Sequence, residues 1–138
     1  MDESIFFAGP LSFSDIEKKD KIQIDFTASV IKNICDSVKC NFTLITENPS
    51  VSKDSISVKT TDTTITNNKL EILFTNITKK TFQYRYSFYI PYYDYIKILD
   101  SSSLSLIFNK KTFAAPRRWK KNANEMKTKL GWLISGYL

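Results

Sequence analysis

Eight cations and a single anion fall within residues 109–129 of this 138-residue chain. The bases are Lys110, Lys111, Arg117, Arg118, Lys120, Lys121, Lys127 and Lys129. Clustered ammonium and guanidinium groups neutralise phosphates, and arginine presents a bidentate fork to them. The segment is therefore a candidate nucleic-acid grip. The alternative is a solvated rim that keeps a tryptophan-anchored helix soluble. The positive excess is local: net charge is −3 over residues 1–20, +2 over 21–108 and +7 over 109–129, giving +6 for the chain.

A second constellation lies in "YRYSFYIPYYDY", residues 84–95. Exposed tyrosines stack on bases or anchor protein partners. Strand alternation places Phe82, Tyr84, Tyr86, Phe88 and Ile90 on one face, and Gln83, Arg85, Ser87 and Tyr89 on the other. The first set is the more apolar and is expected inward. Arg85 and Tyr89, with Tyr92 and Tyr93, then form an outward candidate surface.

Other chemistry is missing from the sequence. The chain has no histidine, which removes the commonest general base and the usual nitrogen ligand for metals. Nucleophilic sites that pair serine or cysteine with histidine cannot be assembled within it. Two cysteines without histidine do not make a four-ligand zinc site. Cys35 is expected to pack in the core, and both thiols suit a reducing compartment. Three glycines do not supply a phosphate-cradling loop. Asp94 is flanked by tyrosines and reads as a turn residue bonding its own backbone. These absences point away from an enzyme, a metal site and a cofactor, and make a small-molecule ligand the weaker expectation.

The elements that must carry these residues follow from periodicity. "KIQIDF" (21–26) alternates as a strand. "TASVIKNICDSVKC" (27–40) places Val30, Ile31, Ile34, Cys35 and Val38 on one face of a helix, with a β continuation through Val30 and Ile31 as the rival. "NFTLIT" (41–46) returns to alternation, and 47–55 reads as a polar loop marked by Asn-Pro. The Thr-rich 56–66 suits an exposed or edge strand, and Asn67-Asn68 a turn. "KLEILFTNI" (69–77) and "TFQYRYSFYI" (81–90) are strands joined by a turn. Pro91 ends the second, since proline has no ladder donor. Residues 92–99 read as a short strand or one turn of helix, and "LSLIF" (104–108) as the last strand. After Pro116, the residues Trp119, Ala123, Met126, Leu130 and Leu133 or Ile134 recur at helical steps of three and four. Gly131 costs about 1 kcal/mol relative to alanine and is a natural end for this helix.

The result is six or seven strands, mostly antiparallel because their connections are short, with an early helix and a C-terminal helix. This is an α+β domain whose bent sheet, closed by a helix, matches the plan of a pleckstrin-homology-like roll. One domain spans 1–138. Its apolar end, "GWLISGYL", is expected of a terminus packed on the core or of a chain cut from a longer protein. "MDESIFFAGP" carries acids where a secretory leader has bases, and no stretch is as long as a membrane span, so an intracellular location is expected.

Within "FYIPYYDYIKILDSSSLSLIFNKKTFAAPRRWKK", the run Ala115-Pro116-Arg117-Arg118-Trp119 resembles a short signature in the N-terminal region of eukaryotic RNA-silencing RNA-dependent RNA polymerases. There it follows a pleckstrin-homology-like domain and a strand, which "FYIPYYDY" and "LSLIF" resemble. The likeness covers about 35 residues. The family's catalytic aspartate motif is absent, so the resemblance implies an accessory domain that frames RNA or contacts partner proteins, with Arg117, Arg118 and Trp119 at the joint. Two functional expectations result: a non-catalytic protein-interaction domain within a larger complex, or an RNA-binding accessory domain that uses the basic segment.

Overall fold

The computed structural model describes residues 3–17, 19–48, 55–78 and 80–135. Its longest strand comes first. β1 (Glu3–Asp15) buries Phe6 and Ala8, then Leu11 and Phe13. The parity changes because Gly9 and Pro10 together oppose Asp25, forming a bulge between the pairs Ala8–Phe26 and Leu11–Ile24. Gly9 has φ +129°, and a Cβ there would lie 2.8 Å from the Asp25 Cβ, so only glycine fits this close approach. Periodicity marks no strand here. "IFFAGPL" does not alternate, and Gly-Pro ordinarily marks a turn.

The expected helix over 27–40 is absent; the segment is a hairpin. β2 (Lys21–Ile31) buries Ile22, Ile24, Phe26, Ala28 and Val30 in steps of two. β3 (Ser37–Thr46) continues with Val38, Cys40, Phe42 and Leu44. Between them Ile31 and Ile34 exchange backbone hydrogen bonds of 2.9 and 3.0 Å across Lys32 and Asn33. Both turn residues have positive φ, 51° and 64°, as a type I′ hairpin requires. Val30–Ile31 and Ile34–Cys35 flank this two-residue turn, and that placement imitates the i, i+1, i+4, i+5 pattern of a helix. Ile34 is 61% exposed, where a helix would have buried it with Val30.

The Thr-rich segment forms two strands, β4 (Ile56–Thr60) and β5 (Thr64–Asn67), the latter on the sheet edge. β6 (Glu71–Ile77) and β7 (Phe82–Pro91) pair antiparallel. Pro91 then caps a helix, α1 (Tyr92–Asp100), which buries Tyr95, Ile98 and Leu99. β8 (Leu104–Phe108) is followed, through Asn109 and Lys110 at positive φ, by a ninth strand, β9 (Lys111–Ala114). β8 was therefore not the last strand. The closing helix, α2 (Trp119–Ser135), runs through Gly131 and buries Trp119, Ala123, Met126 and Leu130. The loop expected at 47–55 lies outside the described residues at 49–54, as do position 79 of the turn between β6 and β7 and the last three residues of the chain.

The nine strands among the described residues form one antiparallel sheet in the order β5-β4-β8-β9-β1-β2-β3-β7-β6. The sheet curls into a half-barrel. The Phe108 ring of β8 lies 5.1 Å from Phe42 of β3 and 5.3 Å from Tyr86 of β7, although β9, β1 and β2 separate β8 from β3 in the sheet. The helices cover the rest of the concave face, where Tyr95 of α1 meets Phe26 at 5.0 Å. The architecture is α+β, with a curled antiparallel sheet and two helices.

Asn33 tests the hairpin directly. Asn33→Val places a β-branched side chain at φ 64° and should cost about 1–2 kcal/mol in urea unfolding. A helical segment would register the same change at a few tenths of a kcal/mol.

Candidate functional site

The structure disperses the basic segment. Lys111, at the start of β9, places its Nζ 2.9 Å from Asp20 and 3.5 Å from Asp15. Both carboxylates are almost fully buried. Asp15 also accepts from the backbone N–H of Lys19 (3.0 Å) and of Asp20 (3.2 Å). Burial opposes the charge on Asp15, but these two N–H groups and the Lys111 ammonium outweigh it and hold the carboxyl below its ordinary range. The hydrogen bond to Asp20 does most to push Lys111 upward, against a smaller effect of burial.

Two further lysines hold α1. Lys120 donates to the carbonyls of Leu99 and Ser101, each at 3.2 Å, where the C-terminal end of a helix favours a cation. Lys127 is ion-paired with Asp100 in the last turn of α1. Lys111, Lys120 and Lys127 thus work inside the domain. Lys110 in the β8–β9 turn, Arg117 and Arg118 ahead of α2, and Lys121 and Lys129 on α2 are exposed and have no ion pair among the described residues. Trp119 sits between these groups as the buried anchor of α2.

The tyrosine surface is also divided. Tyr86, Phe88 and Ile90 face inward as expected, and Phe82 and Tyr84 are half-buried with stacked rings. Arg85 lies on the outer face but is tied down, donating to Asp25 at 3.1 Å and to Thr43 at 2.8 Å. Tyr89 is exposed with the Lys39 ammonium 6.0 Å from its ring centre, and Tyr93 is exposed with Lys97 at 5.5 Å. Tyr92 is half-buried against the core. Asp94 stands in the first turn of α1 rather than in a loop, 4.0 Å from Lys97.

The most unusual surface is on neither of the two sequence candidates. β6 is an outermost strand, and all seven of its residues are exposed. Ile72, Leu73, Phe74 and Ile77 present 46, 42, 49 and 68% of their surface to solvent. Cross-strand pairing puts Ile72, Thr75 and Ile77 on the inner face, opposite Tyr86, Tyr84 and Phe82. Phe74 is opposite Arg85 on the outer face. Strand and neighbour thus form a flange with apolar groups on both sides. One signal was present: Ile72-Leu73-Phe74 does not alternate, as a strand with one solvated face would.

These features define a curled antiparallel α+β domain with an apolar open edge. No protein-family model, curated protein or solved structure matches the chain.

Removing Lys111 should expose its role as an internal counter-ion. Lys111→Met is expected to cost about 1–2 kcal/mol at neutral pH, the lower part of the range for charged hydrogen bonds, because Lys111 is 40% exposed and screened by solvent. The Asp15 contribution exists above its unfolded pKa of about 3.9 and is lost as pH falls through the lower folded value. Chemical denaturation from pH 7 to pH 2 should therefore show the gap between mutant and parent closing below about pH 4.

Proposed function

We propose that this domain is a non-catalytic protein-interaction module that works within a larger assembly. The observation that carries this reading is β6. Long strands at a sheet edge are ordinarily blunted with charges, proline or a cover, because their free N–H and C=O groups recruit other chains. β6 has one charged residue, Glu71, no proline, and four exposed large apolar side chains. The opposite edge, β5, has four residues, of which only Ile65 is apolar. A bulge at Leu73 leaves Phe74–Ile77 as the regular stretch that a partner would cover. The lack of histidine in the sequence supports the non-catalytic part of the reading.

RNA binding is the second reading. It would rest on Lys110, Arg117, Arg118, Lys121 and Lys129. The internal use of Lys111, Lys120 and Lys127 weighs against it, since fewer cations remain to neutralise phosphates. The pleckstrin-homology-like plan stays part of the proposal; the curl of the sheet and the closing α2 support it. The resemblance around Ala115–Trp119 supports an accessory role in either case.

Site-specific photo-crosslinking separates the two. A photoreactive residue at Phe74 should capture protein in extracts of the native cell, and the capture should disappear when Ile72 and Ile77 are changed to lysine. A photoreactive residue at Lys121 should capture nothing. RNA captured at Lys121, with binding that weakens steeply with salt and is lost in Arg117→Glu/Arg118→Glu, would reverse the assignment.

A further inference from the structure

Besides the terminal strands β6 and β5, a further free edge lies along β1. β2 pairs with β1 from Glu3 to Ser14, but β9 meets β1 only at Ser14 and Asp15. From Glu3 to Phe13, β1 therefore has no strand on its second side among the described residues. That side opens onto a groove of ≈ 270 Å³. Phe6, Phe7, Ala8, Gly9, Pro10 and Leu11 form one wall; Asn122, Glu125, Met126 and Lys129 of α2 form the other. Consecutive residues of β1 point to opposite faces of the sheet, so a groove that touches all of them runs along the main chain itself. The helix residues are spaced i, i+3, i+4 and i+7, which is a single stripe of α2.

The chemistry of this groove selects its occupant. Its strand wall offers a row of main-chain donors and acceptors, whose complement is another extended main chain. Its volume lies just below the roughly 300–1,000 Å³ of small-molecule sites, enough for side chains of a peptide. Beside the same edge, on the outer face, Ile5 and Phe7 are 66 and 61% exposed. A strand laid against β1 would put alternate side chains over these two residues, as directly opposed residues in a ladder do. Its intervening side chains would point toward Met126, with Glu125 and Lys129 at the rim. Pro10 has no N–H, and the bulge interrupts the ladder there, so the usable edge is Glu3–Ala8.

We infer that β1 and α2 form a second binding groove, separate from β6, which accepts an extended peptide segment of a protein partner by strand addition along Glu3–Ala8. The recognised segment carries apolar residues at alternate positions, matched to Ile5 and Phe7.

A random library of short linear peptides displayed on phage, panned on the full chain, tests this. The expected result is enrichment of peptides with apolar residues at every second position. Their binding should slow deuterium exchange within residues 3–8. It should fall about tenfold or more in Ile5→Lys/Phe7→Lys, a loss typical of central apolar contacts, and be unchanged in Phe74→Lys on β6. N-methylation of alternate peptide nitrogens should also abolish binding, with the protein itself unaltered. No enrichment would overturn the inference. So would protection confined to 71–77, binding indifferent to N-methylation, or light scattering that shows a dimer of this chain dissolved by Phe7→Lys. Loss of the β6 partner in the crosslinking experiment would leave this result standing, because the two edges are read by different variants.

Discussion

Phe42 is the contact on which the architecture depends. It is fully buried, stacks on Tyr86 at 5.0 Å, and meets Phe88 and Phe108 edge-on at 5.9 and 5.1 Å. Tyr86 and Phe88 belong to the neighbouring strand, so those contacts are available to any flat sheet. Phe108 is different. Its strand is four places away in the sheet, and ring contact is possible only if the sheet curls through the intervening strands. Aromatic pairs of this geometry contribute about 0.5–1.5 kcal/mol beyond their buried area. Here they also close the concave face at one end and leave the other end for α1 and α2.

The curl explains the dispersal of the basic segment. It brings β9 alongside the C-terminal end of β1, where Lys111 meets Asp15 at the strand's end and Asp20 beyond the turn. α2 then crosses to α1, and Lys120 and Lys127 reach the last turn of that helix. The acidic start and the basic end of the chain thus partly neutralise one another inside the fold. Lys111 is a tether between the two ends, and Lys120 and Lys127 join the two helices. A run of charge that resembles a ligand site in one dimension becomes, for three of its eight cations, a set of internal joints.

Curling one sheet without closing it leaves edges. A closed barrel pairs every strand; a half-barrel does not. In this domain β5 is short and polar, whereas β6 is long and apolar. Among the described residues the early part of β1 is open as well, because β9 is too short to follow it beyond Ser14. The two long open edges differ in surroundings. β6 stands clear as part of a flange, and β1 is walled by α2. The first presents a broad apolar surface, and the second a groove beside its main chain.

The sequence by itself determined which stretches alternate, and with them the inward face of β7 and the buried stripe Trp119–Ala123–Met126–Leu130 of α2. In each of these, one side of the element is clearly more apolar than the other, and periodicity reports that difference directly. It could not distinguish the hairpin at Lys32-Asn33 from a helix. Apolar residues on both sides of a two-residue turn share the helical spacing, and the turn uses Lys-Asn where glycine would have marked it. It could not place β1 or β9 either, since a bulge broke the alternation of one and four residues are too few for a pattern in the other. Only the tertiary structure decided that Lys111 pairs with Asp20 and Asp15, 91 and 96 positions away. It also decided that, among the described residues, β6 and the start of β1 are left open. Periodicity describes one element at a time, whereas counter-ions and free edges depend on which elements become neighbours.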